Sequence, residues 1–173
     1  MKFLKKCGLV AVFAVLGALA YQFLSLPFAV PNTVISFEPA VLTLASFILG
    51  PIGTMGVGFL GHFLYDSLNY SIVWWTWIIA EGIYGLLLGL ISLRLKLMAR
   101  PFNVRQFFAF NLWQLLANLL AWGLIAPLGD FLIYKSDWIF VFQQGLFAAL
   151  ANTIVIAIFG SLFLFFYHYF FKS

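Results

Sequence analysis

Trp74, Trp77 and Glu81 stand at i, i+3 and i+7 within Trp74-Trp75-Thr76-Trp77-Ile78-Ile79-Ala80-Glu81. On a helix that spacing gathers flat aromatic surface and a carboxylate on one face. The chemistry open to such a face is recognition. Indoles stack on a heterocycle or a cation, and the acid accepts hydrogen bonds or balances positive charge. The surrounding residues, Ser71 to Leu93, read as a membrane span. A charge near a bilayer centre costs roughly 2.5–3.5 kcal/mol on insertion scales, so Glu81 is expected to face a protein interior and serve a ligand or partner. Trp75, nearer the helix end, fits an interfacial aromatic belt equally well.

Other spans carry polar stripes of the same kind. Asn111, Gln114, Asn118 and Trp122 lie at i, i+3, i+7 and i+11, Gln144 and Asn152 at i and i+8, and His62 and Asp66 at i and i+4. An amide in a span also serves as interhelical glue worth ~0.6–2 kcal/mol, so each one alone has two readings. Stripes on four helices, joined by tryptophan and an acid, point to an outward-facing cavity with aromatic walls and a few polar groups. Trp77, Glu81, Asn118 and Gln144 are the first expected ligand contacts, followed by His62, Asp66, Trp74, Gln114 and Asn152. Asn32 and Thr33, in the first outer link, fit a lid. The outer half-helices contain no Lys or Arg. A neutral or cationic flat heterocycle therefore suits the site better than an anion.

Several chemistries lack their residues. There is no Gly-x-x-x-x-Gly-Lys-Ser/Thr run to cradle a nucleotide, and no Cys/His spacing for a metal. No serine or cysteine nucleophile accompanies His62 and Asp66. No catalytic residue, metal or cofactor is expected, and the chain is not read as an enzyme. A membrane enzyme acting through His62 and Asp66 is a rival reading, and a structural or assembly subunit without a small ligand is another. A lone Cys7 cannot form an internal disulfide.

The elements that position these residues are membrane helices. The 173 residues are 65% hydrophobic and only 8% charged, with mean hydropathy +1.08, where a soluble domain carries about 25% charge. The length admits one domain, residues 1–173, with about six spans of roughly 20 residues. They are predicted near residues 8–26, 36–49, 54–68, 71–93, 106–126 and 138–169. Pro27 to Thr33 form a turn-rich link, Gly50-Pro51-Ile52-Gly53 a break, and Pro127 a stop followed by a polar link from Asp130 to Asp137. The last segment is longer than one crossing needs and should tilt, kink or protrude. A basic start followed by Ala18-Leu19-Ala20 also resembles a signal peptide, but the apolar run continues past Ala20. With both termini inside, Lys2, Lys5, Lys6, Arg94, Lys96, Arg100, Arg105 and Lys172 are inner and only Lys135 is outer, which satisfies the positive-inside rule. Glu38, Asp66, Asp130 and Asp137 fall at outer ends or links. The basic balance thus reflects topology and calls for no nucleic acid. An all-α bundle of six transmembrane helices, N-terminus and C-terminus cytoplasmic, is the expected fold.

Pro31-Asn32-Thr33, Gly50-Pro51, Gly61-His62, Trp74-Trp75-Thr76-Trp77, Ala117-Asn118, Trp122, Leu124-Ile125-Ala126-Pro127, Gln144-Gly145 and Ala151-Asn152 occur in this order. With this ordered set the chain resembles, over nearly its whole length, the substrate-binding S components of energy-coupling-factor (ECF) vitamin transporters. Within them it is most similar to the formerly uncharacterised UPF0397-like branch. The resemblance implies capture of a vitamin on the outer side of a bacterial plasma membrane. It also implies association with an ECF transmembrane coupling subunit and two cytoplasmic ATPases, and toppling in the membrane to release cargo. Family members carry an Ala-x-x-x-Ala patch on the first helix that packs on the coupling subunit. Ala14 and Ala18, with Gly17, match it here, although small residues there also suit packing within the bundle. One fold serves many substrates. The acidic, tryptophan-rich face favours a thiamine-, hydroxymethylpyrimidine- or pyridoxine-like heterocycle, then riboflavin.

Overall fold

Apolar character without interruption by charge is realised as helix almost throughout. The structure, a computed structural model, describes residues 3–28, 30, 31 and 33–171. The helices are α1 (Phe3–Phe23), α2 (Glu38–Asn69), α3 (Trp75–Leu95), α4 (Val104–Leu120), α5 (Ala126–Ile133), α6 (Trp138–Val155) and α7 (Ser161–Phe171). A π turn at Ala121–Ile125 joins α4 to α5, and another at Ile156–Gly160 joins α6 to α7. Among the described residues, five helical stretches are long and apolar enough to cross a membrane: Phe3–Phe23, Glu38–Asn69, Trp75–Leu95, Val104–Ile133 and Trp138–Phe171.

The second and third expected spans appear as two limbs of α2, broken at Gly50, whose φ of 68° and ψ of −175° are not helical. A side chain in that conformation costs roughly 1–3 kcal/mol, which glycine avoids. Pro51 follows and has no N–H to give. The limbs fold back on each other. Positions 53, 56 and 61 of the second limb face Lys6, Val10 and Ala14 in ascending order, so that limb runs parallel to α1. Glu38, the first residue of the first limb, nevertheless packs on Gly17, at the opposite end of α1 from Lys6. The first limb, residues 38–49, covers roughly 18 Å at 1.5 Å per residue, short of a ~30 Å hydrocarbon core.

A small hairpin occupies the remaining depth. Strands β1 (Ser25–Pro27) and β2 (Val34–Ser36) pair antiparallel with Ser25 opposite Ser36 and Pro27 opposite Val34. The sequence was expected to give only a turn-rich link there. The hairpin leans on α6: the Phe28 and Phe147 rings are 5.2 Å apart, and Gln144 Nε2 donates to the Pro31 carbonyl at 2.9 Å.

Pro127 does not stop its helix. The π turn before it shifts the hydrogen-bond register where the ring would otherwise leave a carbonyl unmatched. Asp130, expected in a polar link, is consequently helical and 2% exposed. The second π turn interrupts the overlong last segment, which agrees with the expected irregularity. Asn103 and Asp137 cap α4 and α6 by accepting from Gln106 N and Phe140 N. Leu42, Tyr84, Leu88, Phe110, Trp122 and Ile156 form the heart of the core.

The two ends of the bundle differ. Lys6 lies beside Gly53, Gly89 beside Pro51, and His168 Nε2 is 2.7 Å from the Leu97 carbonyl. The start of α1, the end of α7 and the basic stretch 94–105 therefore share one end. Glu38, expected at an outer end, packs on Gly17 in the half of α1 away from Lys6 and is buried at 2% exposure. Ala14, Gly17 and Ala18 were expected to face a coupling subunit. They are buried, with the Ala14 carbonyl against Gly61 and Gly17 against Glu38. Their small size is used inside the bundle, where it lets α1 approach α2 closely.

Candidate ligand-binding site

At the end opposite the basic stretch lies a cavity of about 360 Å³. It is walled by Tyr21 from α1, His62, Tyr65 and Asp66 from α2, Trp74 and Trp77 at the start of α3, and Trp122 and Asp130 around the first π turn. Val141, Gln144, Ala148 and Asn152 of α6 complete the wall, and Thr33 and Val34 of the hairpin cover it. Tyr70, Ser136 and Phe140 also line it.

Asp66 and Asp130 organise the mouth. Asp66 Oδ2 accepts from Trp74 N at 3.1 Å, so one carboxylate fixes the entry of α3. Asp130 accepts from the Thr76 hydroxyl and, at 2.7 Å, from Trp77 Nε1. These bonds tie α3 to α5 and lock the Trp77 ring in place. Trp77 lies 5.4 Å from Trp122, and Trp122 is stacked 5.9 Å from His62. Tyr21 and Tyr65 stack at 4.8 Å on the other side. Clustered aromatic faces and two carboxylates, with no Lys or Arg among the described wall residues, suit a planar ligand rich in donors or positive charge.

The wall also holds a polar atom without a partner among the described residues, the buried Trp122 Nε1. A buried donor left unmatched costs roughly 1–3 kcal/mol, so it is a natural contact for a ligand. α6 approaches the π turn at Gly145, where an added Cβ would overlap the Trp122 carbonyl and lie 2.9 Å from the Pro127 ring. That approach brings Gln144 and Asn152 to face Trp122.

The structure brings His62, Asp66, Trp74, Trp77, Gln144, Asn152 and Thr33 together around one cavity. Asn32 lies outside the described residues. Gln114, Asn118 and Glu81 do not reach the wall; each is wholly buried. Asn118 Nδ2 donates to Tyr84 Oη at 2.8 Å and to Gln114 Oε1 at 3.0 Å, while Gln114 Nε2 donates to the Thr153 carbonyl at 3.2 Å. Asn111 continues the chain to Ser161 Oγ at 3.1 Å. This amide stripe is interhelical glue joining α4 to α3, α6 and α7. Glu81 sits beneath the floor, 3.5 Å from His62 Nδ1. Trp75 turns outward against Phe63, as a belt residue would.

Tyr21, Tyr65, Tyr70, Trp122, Asp130 and Ser136 are wall residues that the expected ligand contacts omit. A lone tyrosine in an Ala/Leu-rich span is a sequence signal for Tyr21. Asp130 carries no such signal once Pro127 is taken as a stop. Among the described residues no group of three or more His, Cys, Asp or Glu is arranged to hold a metal.

Comparison with known proteins agrees with this architecture. The family described as "ECF-type riboflavin transporter, S component" matches residues 3–168. A UPF0397 protein of Streptococcus pneumoniae (strain CGSP14) is 44% identical over 154 residues, 89% of this chain and 82% of the relative. A UPF0397 protein of Lactococcus lactis subsp. cremoris (strain NZ9000) is 42% identical over the same shares. No solved structure matches the chain. The chain is a membrane protein that belongs to the family of ECF-type riboflavin transporter S components.

Proposed function

We propose that this chain captures a heterocyclic vitamin or vitamin precursor from outside a bacterial cell and hands it to partner subunits for ATP-driven uptake. The observation that carries the reading is the acid-mouthed aromatic cavity of about 360 Å³, roofed by the β1–β2 hairpin. Its volume falls in the ~300–1,000 Å³ range of small-molecule sites. Trp77, Trp122, Asp66, Gln144 and Asn152 are the proposed contacts, and Thr33 belongs to the lid. A thiamine- or pyridoxine-like ring is favoured by the carboxylates. Riboflavin is the second reading, favoured by the family's description.

In this reading the two limbs of α2 count separately, giving six crossings with both termini on the cytoplasmic side. The family implies an ECF transmembrane coupling subunit and two cytoplasmic ATPases as partners. The chain itself supplies binding and no catalysis. Exposed residues of α1 such as Val12, Val15, Leu16 and Leu19, rather than the buried small residues, would meet such a partner. The test is to add thiamine, pyridoxine and riboflavin to detergent-purified protein and follow tryptophan quenching. One of them is expected to bind with Kd below about 1 μM, or ~8 kcal/mol. Failure of all three to reach that affinity would overturn the reading.

A further inference from the structure

His62 stands between two carboxylates of different standing. Its Nε2 is 3.6 Å from Asp66 Oδ1 in the cavity wall, and its Nδ1 is 3.5 Å from Glu81 Oε2 beneath the floor. Neither Glu81 oxygen has a hydrogen-bond partner among the described residues. Glu38, near enough to interact electrostatically with Glu81, is also buried and has one unpartnered oxygen. The imidazole lies 5.9 Å from the Trp122 ring and 5.5 Å from Tyr21, distances at which an aromatic face favours a cation. The titratable groups around it are Asp66 and Tyr65 on its own helix, Tyr21 on α1, and Glu81 and Tyr84 on α3. Glu38 on the first limb and Asp130 across the cavity complete the set. No Lys or Arg lines the cavity.

A buried carboxylate without protein donors needs a proton or a counter-charge. The lone imidazole between Glu81 and Asp66 supplies one, and the His62–Glu81 pair shares it. A cationic ring seated at Asp66 would place a second positive charge beside the same imidazole. Like charges that close in a low dielectric cannot both persist.

We propose that binding here is proton-linked: the His62–Glu81 pair holds one proton in the empty protein and releases it to the outer solution when a cationic heterocycle seats against Asp66. One positive charge enters and one proton leaves through the cavity, so the net charge of the buried cluster is unchanged. This rests on the vitamin-capture reading and gives it a chemical selectivity for cations.

The experiment is calorimetric titration of the whole chain between pH 6 and 8 in buffers of different ionisation enthalpy. Thiamine is the permanently cationic probe and riboflavin the neutral one. Thiamine is expected to release about one proton and to bind about tenfold tighter per pH unit while the pair titrates, as linkage requires. Riboflavin, where it binds, is expected to release none. Glu81→Gln and, independently, His62→Gln should make thiamine binding pH-flat with no proton released. His168→Gln should leave the linkage intact. Thiamine binding without proton release in the unaltered protein overturns the inference and leaves the capture reading standing. So does binding of riboflavin alone, or linkage that survives in His62→Gln. No binding of any vitamin at any pH overturns both.

Discussion

Asp130 and Asp66 border one cavity but are satisfied differently. Among the described residues, Asp130 accepts from Thr76 and Trp77, whereas Asp66 accepts only from Trp74 N and keeps one oxygen toward His62. Asp130 is thus a positioning acid for the Trp77 indole, and Asp66 is the acid left for a ligand. Trp77→Phe keeps an aromatic face but loses the bond to Asp130. A hydrogen bond to a charged group contributes ~1.5–3 kcal/mol, so Kd for the bound vitamin should rise roughly 10–100-fold. Asp130→Asn should produce a similar loss, and the double variant should cost much less than the two losses combined, because one bond is removed in both. Titration by fluorescence of the remaining tryptophans measures this; full additivity would refute the coupling. Asn118→Leu should act oppositely, lowering stability in detergent unfolding by ~0.6–2 kcal/mol while changing Kd less than about threefold. That contrast marks what was legible at this scale. The sequence showed that Glu81, Gln114 and Asn118 face inward, since charge and amides are costly against lipid. It could not show whether "inward" meant a cavity or a neighbouring helix, because helical phase gives only a direction.

The elements that shape the cavity are its irregular ones. The β1–β2 hairpin covers it, and the π turn at Ala121–Ile125 turns Trp122 and Asp130 toward it. The long apolar helices were readable from hydropathy, as was the break at Gly50-Pro51. Three-residue strands carry too little periodicity to stand out. The π turn depends on the approach of α6 at Gly145, a long-range contact, so Pro127 alone reads as a stop. The lid offers an element-scale test. The bond from Gln144 Nε2 to the Pro31 carbonyl ties it to α6, beside the Phe28–Phe147 ring contact. Gln144→Leu releases that tie but also a proposed ligand contact, so Phe147→Ala, which loosens the same hairpin outside the proposed contacts, is measured beside it and the two should agree. One net hydrogen bond is worth ~0.5–1.5 kcal/mol, so vitamin dissociation should quicken by about 2–10-fold in stopped-flow measurements. The midpoint of unfolding should hardly move, since the lid is local. An unchanged dissociation rate would remove the hairpin from the binding step.

Across the whole molecule, charge is polarised along the bundle axis. Lys6, Arg94, Lys96, Arg100 and Arg105 gather at the end shared by the start of α1 and the end of α7, and the carboxylate-lined cavity opens at the other. The proposed function puts the basic end in the cytoplasm, as the positive-inside rule favours, and the cavity at the exterior, the only orientation in which it could receive a vitamin from outside. Cys7 is the single cysteine and is exposed on the first turns of α1, which makes the orientation directly measurable. In intact cells a membrane-impermeant maleimide should leave Cys7 unlabelled until the membrane is opened. In a Cys7→Ser background, Arg100→Cys should behave like Cys7, and Lys135→Cys should label at once. Saturating vitamin should not alter labelling of Arg100→Cys, which is remote from the cavity. Immediate labelling of Cys7, or protection of Lys135→Cys, would invert the molecule. The acid-mouthed cavity would then face the cytoplasm, where it could not act in capture.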